Sequence, residues 1–126
     1  MVTVLAIAAG GAIGSVARYG TVVWAARYLG AAFPYGTFAV NVAGAFVMGV
    51  LIELMALVWS PSDAARAFLF IGVLGGYTTF STFSLDAWLL IERGDYGFAF
   101  LYIVSSVVFS IAALLGGLHL TRVVIA

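Results

Sequence analysis

Hydrophobic residues fill four long stretches of the chain, and short segments rich in glycine, proline or charge separate them. The stretches lie at about 3–27, 35–59, 65–92 and 96–122. A helix needs about 20 predominantly apolar residues to cross the hydrocarbon core of a bilayer, and each stretch reaches that length. The pattern therefore predicts an all-α integral membrane protein in which residues 1–126 form a single domain of four transmembrane helices.

The connections between the spans carry the stop and start signals of helices. Gly30 breaks the segment between the first two spans. Ser60 or Ser62 can cap the third span, and Asp63 favours its N-terminus through the helix dipole. Gly94 can adopt the left-handed conformation that ends the third span. Four spans joined in this way place both termini on the same side of the membrane.

Composition agrees with a membrane location. Hydrophobic residues make up 65% of the 126 positions and charged residues only 8%, whereas about 25% of the residues of soluble domains are charged. The chain has no cysteine, which excludes disulfides and thiolate metal sites. Its net charge is zero and its arginines are not clustered, which argues against a nucleic-acid partner and against a polybasic lipid-binding face.

The positions of the arginines bear on orientation in the membrane. Arg66 and Arg122 fall on the side of the termini, and Arg27 and Arg93 fall on the opposite side. Two against two gives the positive-inside rule no preferred orientation. The chain could therefore insert both ways round and pair as an antiparallel dimer. The alternative interpretation is that four charges are too few to determine orientation.

The third span contains "GGYTTFSTF" at 75–83, a polar and flexible stretch centred near Thr78 and hence near the bilayer midplane. We expect Gly75 and Gly76 to loosen the helix and the following hydroxyls to satisfy the freed backbone groups. Irregular backbone at this depth is tolerated only where it is buried in protein or lines a cavity. Freed carbonyls favour a hard cation such as Na⁺, whereas the N-terminus of the following half-helix favours an anion. The sequence alone leaves the sign of the ion open.

Polar residues of the other spans lie at similar depth. Asn41 falls about 9 Å from the centre of the second span at a rise of 1.5 Å per residue. Tyr102, Ser106 and Ser110 recur every four residues and so share one face of the fourth span. Polar groups inside a span are costly and indicate function. The structural alternatives are a helix–helix hydrogen bond for Asn41 and a hydrogen bond to the preceding turn for each serine. Because three polar residues share one face of the fourth span, we favour a functional role for them as a polar track.

Two further features have both a structural and a functional interpretation. Phe80 and Phe83 share a helix face, a spacing that usually reflects packing, although the positive edge of an aromatic ring can also face an anion. Arg18 falls a little beyond the centre of the first span and could snorkel toward the interface, bind buried carbonyls or help attract an anion. We favour a structural or vestibule role for Arg18 over direct ion binding.

Three motifs together carry a family resemblance. The stretches "GGAIGSVARYG" (10–20), "GTFAVNVAGAFVMG" (36–49) and "GGYTTFSTFS" (75–84) resemble the signature stretches of the Fluc family of fluoride channels, also called CrcB. The resemblance covers the whole chain, since length and number of spans also agree. The combination of "TTFSTF" with "VN" in the preceding span is specific, unlike an isolated pair of glycines.

The resemblance implies a subunit of an antiparallel, dual-topology dimer, formed with a second copy of the chain or with a paralogous subunit. Such a dimer lies in the bacterial plasma (inner) membrane, in contact with lipid, and passes fluoride passively out of the cytoplasm through two pores. This export relieves fluoride toxicity. A structural Na⁺, which is not transported, lies at the dimer interface. The resemblance implies neither an enzyme nor a nucleic-acid partner.

The resemblance also implies roles for individual residues. The fluoride pathway comprises Asn41, Phe80, Phe83, Thr82, Tyr102, Ser106 and Ser110. Gly75 and Thr78 match the positions whose backbone carbonyls hold the Na⁺, and Arg18 matches the arginine of the first motif. The chain departs from the family pattern at Ala45, where serine is frequent, and at Asp86, where glutamate is frequent. These departures bear on fine tuning more than on function.

The main alternative is a small four-span proton-coupled drug antiporter. Such a protein needs a carboxylate deep in the membrane to exchange protons, whereas the first span has no acidic residue and Glu53 lies near the end of the second. An intramembrane enzyme is disfavoured by the lack of a nucleophile–base pair or a metal-ligand cluster. The in-register track in the fourth span counts against a purely structural subunit.

Overall fold

The computed structural model describes all residues from Met1 to Ala126 and contains helices only. Helix α1 comprises Val2–Leu29 and α2 comprises Tyr35–Leu57. The third span consists of α3, residues 63–77, and α4, Phe80–Glu92. Helix α5 comprises Tyr96–Ile125. Four helical spans are long and apolar enough to cross a membrane, which confirms the all-α membrane fold and the break in the third span.

Helix α3 changes its winding along its length. It begins with an α-helical turn at Asp63–Arg66, continues as a π-helix over Ala67–Leu74, and returns to α-helical geometry at Gly75–Tyr77. Of the two serines considered as caps, Ser62 is the one used: its Oγ accepts from the Ala65 N–H at 3.1 Å. A π-helix is wider than an α-helix and usually marks a site under structural or functional constraint.

The break lies later than the sequence indicates. Gly75 and Gly76 are helical, with φ −62° and ψ −37° at Gly75, so the expectation that they loosen the helix is wrong. The chain becomes extended at Thr78 and Thr79 instead. The glycine at position 76 serves close packing, because a Cβ there would lie 2.8 Å from the Gly11 carbonyl oxygen of α1.

Two helix pairs dominate the packing. Helix α1 packs along α3, where Gly10 and Gly14 lie directly against the carbonyls of Phe68 and Val73. Helix α2 packs along α5, where Gly49 lies against the Leu114 carbonyl. Small residues are what allow helix backbones to approach this closely in a membrane. The four-residue glycine spacings therefore serve contacts within the chain.

Ion pairs hold the ends of the spans. Buried Glu53 of α2 forms a two-pronged pair with Arg122 of α5, with distances of 3.1 Å from Nε and 3.3 Å from Nη2. At the other side of the fold, Arg93 pairs with Asp95 at 3.0 Å and donates to the Ala32 carbonyl at 2.9 Å. The latter contact fixes the α1–α2 connection to the end of α4.

Gly49→Ala should lower the thermal stability of the protein, because the added methyl group would overlap the Leu114 carbonyl and push α2 away from α5. Overpacking of this kind costs about 1–3 kcal/mol. The melting temperature of the purified protein in lipid nanodiscs measures the effect. Gly20→Ala is the matched control, since a Cβ at Gly20 meets open space and alanine favours the helix. Equal melting temperatures for the two variants would contradict the packing.

Candidate ion pathway

The break in the third span has a defined backbone conformation. Thr78 has φ −88° and ψ 157°, and Thr79 has φ −154° and ψ 123°, so both residues are extended between two helices. The Thr78 hydroxyl donates to the Leu74 carbonyl at 2.9 Å and closes the end of α3. The Thr79 hydroxyl accepts from the Thr82 N–H at 3.2 Å and caps α4. The two threonines thus end one helix and begin the next.

Asn41 of α2 binds the break through both ends of its amide. Its Oδ1 accepts from the Thr79 N–H at 2.8 Å, and its Nδ2 donates to the Thr79 carbonyl at 3.0 Å. The side chain therefore pairs with the extended backbone as a neighbouring strand would. One N–H of the Asn41 amide remains outside these two bonds.

The same arrangement leaves two carbonyls without their helical donors. In a continuous helix the Thr79 N–H would bond the Gly75 carbonyl, but it donates to Asn41. The Thr82 N–H would bond the Thr78 carbonyl, but it donates to the Thr79 hydroxyl. Gly75 and Thr78, the two residues that the sequence suggests for Na⁺, are therefore among the residues at the break whose carbonyls lose their helical bonds.

An open groove of about 340 Å³ runs along the molecule beside the break. Five of the residues that the sequence suggests for the pathway line it, together with Thr78 and Thr79: Asn41, Phe80, Phe83, Ser106 and Ser110. No charged residue lines it. The groove thus brings second, third and fourth spans together around uncharged polar groups and aromatic rings.

Ser106 is the most unusual member of this groove. It is buried, at 6% exposed, and its Oγ has no hydrogen-bond partner. A buried polar atom without a partner costs about 1–3 kcal/mol, so native proteins rarely retain one unless it serves a ligand, water or function. The hydroxyl is therefore available to a species that enters the groove.

The two phenylalanines differ in exposure. Phe83 is 9% exposed, whereas Phe80 is 78% exposed on the surface of the single chain. Their ring centroids lie 5.4 Å apart and the planes are inclined by 40°. Phe83 belongs to the core of the fold, and Phe80 projects from it.

Tyr102 lies behind the groove rather than in it. Its ring is fully buried, 5.1 Å from the Phe83 ring, and its hydroxyl donates to the Asp86 carboxylate at 3.2 Å. The track predicted on the fourth span thus divides: Ser106 and Ser110 face the groove, and Tyr102 contacts Asp86 beyond Phe83.

Thr82 and Arg18 do not line this groove. Thr82 is half-buried on α4, and its amide is the group that Thr79 caps. Arg18 is half-buried on α1 and forms neither a hydrogen bond nor an ion pair. The sequence did not predict that Thr79 pairs with Asn41 and caps α4. The available signal was that Asn41 lies in an apolar span at nearly the same depth as the helix break in the third span.

A second groove, of about 280 Å³, lies on the other side of Asn41 and Thr78. It is lined by Gly75 and Thr78 together with apolar residues, among them Ala45 and Leu74. No group of three or more His, Cys, Asp or Glu side chains that could hold a metal is present in the chain. The oxygen atoms available in this groove are therefore those of the backbone and of the Asn41 and Thr78 side chains.

The four spans define a multi-pass membrane protein, and the irregular backbone at the break lines a groove, as such backbone does in membrane proteins. The chain belongs to the CrcB family: the model described as "CrcB-like protein, Camphor Resistance (CrcB)" matches residues 5–118. The family resemblance noted in the sequence is thereby confirmed.

Curated bacterial relatives match almost the whole chain. A "Fluoride-specific ion channel FluC" of Rhodospirillum centenum is 52% identical over 126 residues, which is all of both chains. A protein of the same name in Agrobacterium fabrum is 52% identical over 122 residues, which cover 97% of this chain and 98% of the relative. Another, in Nitrobacter winogradskyi, is 50% identical over 121 residues, which cover 96% of each chain.

Asn41→Asp should loosen the break, because aspartate still accepts from the Thr79 N–H but cannot donate to the Thr79 carbonyl. One net hydrogen bond corresponds to about a fivefold change in an opening equilibrium, and hydrogen–deuterium exchange of residues 78–80 measures it. Asn41→Val should increase exchange further, since it loses both bonds. Ser105→Ala is the control, because that hydroxyl contacts only the Tyr102 carbonyl of its own helix. Exchange of residues 78–80 in Asn41→Val equal to that of wild type would contradict the pairing.

Proposed function

We propose that this protein is a subunit of a fluoride-selective passive channel that exports fluoride from the bacterial cytoplasm and so relieves fluoride toxicity. Relatives about 50% identical over almost the whole chain are named fluoride-specific ion channels, which supports the proposal. The single structural observation that carries it is the unpartnered, buried Ser106 hydroxyl in a groove without charged side chains.

The chemistry of the groove suits a small, strongly hydrated anion. Hydroxyl hydrogens of Ser106 and Ser110, the remaining amide N–H of Asn41 and the edges of the Phe80 and Phe83 rings all present positive potential. Each can replace part of a hydration shell. None carries a full charge, and conduction requires sites that bind strongly enough to admit an ion but weakly enough to release it.

Three other residues that the family resemblance indicates, Tyr102, Thr82 and Arg18, lie outside the lining of the groove. Tyr102 contacts Phe83 and donates to Asp86, which places a second hydroxyl beyond the phenylalanine. Thr82 follows Phe80 by two residues on α4 and would supply a further hydroxyl to the pathway. Arg18 is unpaired on α1 and serves a structural or vestibule role at a distance from the groove.

An antiparallel homodimer would complete the pathway. The groove is open along its length and the Phe80 ring is largely exposed, so one chain does not enclose a route for an ion. A second copy covering this face would enclose it, and two such copies would have two pores. The even distribution of arginines between the two membrane faces supports opposite orientations, and a paralogous subunit could take the place of the second copy.

A structural Na⁺ fits the carbonyls of Gly75 and Thr78. Both have lost their helical donors and both line one groove, and uncharged oxygens at a broken helix are suitable ligands for Na⁺. Two carbonyls are too few for a hard cation, so the corresponding pair of a second chain would complete the set. The ion would supply positive charge near the midplane, and this chain's part is to hold the carbonyls in place.

No observation favours the proton-coupled antiporter. Glu53 is the acid considered for proton exchange. Its carboxylate accepts hydrogen bonds from Nε and Nη2 of Arg122, near the ends of α2 and α5. None of the relatives named above is described as an antiporter. The proposal is thus a channel and neither a pump nor an enzyme.

Fluoride efflux from liposomes that contain the purified protein tests the function, with a fluoride electrode as the readout. Wild-type vesicles should release fluoride far faster than protein-free vesicles. Phe80→Ile should slow efflux by at least tenfold while the dimer survives, because a branched aliphatic side chain has no positive edge. Phe100→Ile is the matched control, since Phe100 is also exposed, at 71%, but lies outside the groove. Absence of flux from folded wild-type dimer would disprove the proposal.

Exhaustive removal of Na⁺ should abolish efflux, and readdition on either side should restore it without any dependence on the direction of the Na⁺ gradient. The physical reason is that unscreened carbonyls would face one another where the cation is missing. The measurement is initial efflux in Na⁺-free buffer against buffer with Na⁺, with N-methylglucamine as the replacement. Flux that scales with the gradient would indicate Na⁺-driven transport instead, and flux indifferent to Na⁺ would remove the ion from the proposal.

A further inference from the structure

A hydrogen bond between α1 and α3 lies next to the break and has no part in the proposed pathway. Tyr77 is the last residue of α3, and its hydroxyl lies 3.1 Å from the Thr21 Oγ1 of α1. The Thr21 hydroxyl donates its own hydrogen to the Ala17 carbonyl at 3.0 Å. Since a hydroxyl has one hydrogen, Tyr77 is the donor of the bond between the two helices.

The backbone of Tyr77 also rests on α1. A Cβ at Gly14 would lie 2.9 Å from the Tyr77 nitrogen. Gly14 and Thr21 are two turns apart and so lie on the same face of α1. Tyr77 therefore contacts α1 at two levels, through its backbone at Gly14 and through its hydroxyl at Thr21.

On the opposite side the break is held by α2. Asn41 pairs with the Thr79 backbone, and Gly44 leaves space for the methyl group of Thr78, which a Cβ at position 44 would overlap. Residues 77 and 79 are thus anchored to different helices. The Thr78 carbonyl lies between these anchors, and the Gly75 carbonyl lies less than one turn before the first.

We infer that the Tyr77–Thr21 hydrogen bond is a positioning contact that fixes the rotation of the last turn of α3 and thereby the direction of the Gly75 and Thr78 carbonyls. Tyr77 lines neither groove, so it acts through the backbone and not by touching an ion. The cation part of this inference rests on the proposed function. The ordering of the break does not, and it can be measured without any flux.

The test is a double-mutant cycle with Tyr77→Phe and Thr21→Val. Both substitutions keep the shape of the side chain and remove one partner of the bond. Thr21→Ser keeps the hydroxyl and serves as the rescue variant. Tyr19→Phe is the matched control, because Tyr19 is exposed on α1 and forms no side-chain hydrogen bond. Two quantities are measured in the full dimer: hydrogen–deuterium exchange of residues 75–79, and the Na⁺ concentration that gives half-maximal fluoride efflux.

Each single variant should raise both quantities by about fivefold, the effect of one net hydrogen bond. The double variant should show no more than either single variant, because the two hydroxyls act as one unit. Thr21→Ser and Tyr19→Phe should behave as wild type. Additive effects of the two substitutions, or exchange and Na⁺ dependence equal to wild type, would overturn the inference.

Failure of the proposed function is recognised separately. If folded wild-type dimer shows no fluoride flux, or flux without Na⁺ dependence, the proposed function is wrong in its channel or its cation. The exchange measurement then decides only whether the hydrogen bond orders the end of α3. If wild type conducts with Na⁺ dependence and the variants exchange faster at residues 75–79 with an unchanged Na⁺ requirement, the hydrogen bond stabilises the helix end without positioning the carbonyls, and the inference is wrong.

Discussion

The pairing of the Asn41 amide with the Thr79 backbone is the interaction on which the centre of this protein depends. Hydrocarbon offers no water to an unpaired N–H or C=O, so a helix cannot simply stop in the middle of a membrane. Asn41 solves this at one residue by supplying both an acceptor and a donor. The threonine hydroxyls satisfy the flanking helix ends. Without the amide, the N–H and the C=O of Thr79 would both lose their hydrogen-bond partners.

This pairing also separates the two sides of the break. By taking the Thr79 N–H away from α3, Asn41 leaves the Gly75 carbonyl free on one side, and the capping of α4 by Thr79 leaves the Thr78 carbonyl free. On the other side, Phe80 and Phe83 follow at the start of the new helix, beside Ser106. One local arrangement thus leaves backbone acceptors at the break, between a groove lined by Gly75 and a groove lined by the two phenylalanines, with Thr78 lining both.

Much of the fold followed from the sequence, because hydrophobic length alone determines four spans and because Ser62 and Gly94 carry strong helix signals. The exact break did not follow, since glycine propensity pointed to Gly75 and Gly76 whereas tertiary contact keeps them helical. Ser106 and Ser110 were found through their spacing. The position of Tyr102 behind Phe83 could not be predicted, because the spacing of residues shows which helix face they share but not which neighbouring residues that face contacts. The roles assigned from the family to Thr82 and Arg18 stay predictions.

The exposure of Phe80 has a consequence for assembly. In water a ring that is 78% exposed would itself drive association, but lipid is as apolar as the ring and provides no such force. The free carbonyls of Gly75 and Thr78 are different, because lipid solvates them poorly. A cation shared between two chains would therefore link ion binding to the monomer–dimer equilibrium, and each would strengthen the other by the same factor. In that case the ion concentration, as well as the protein density in the bilayer, sets how many chains are paired.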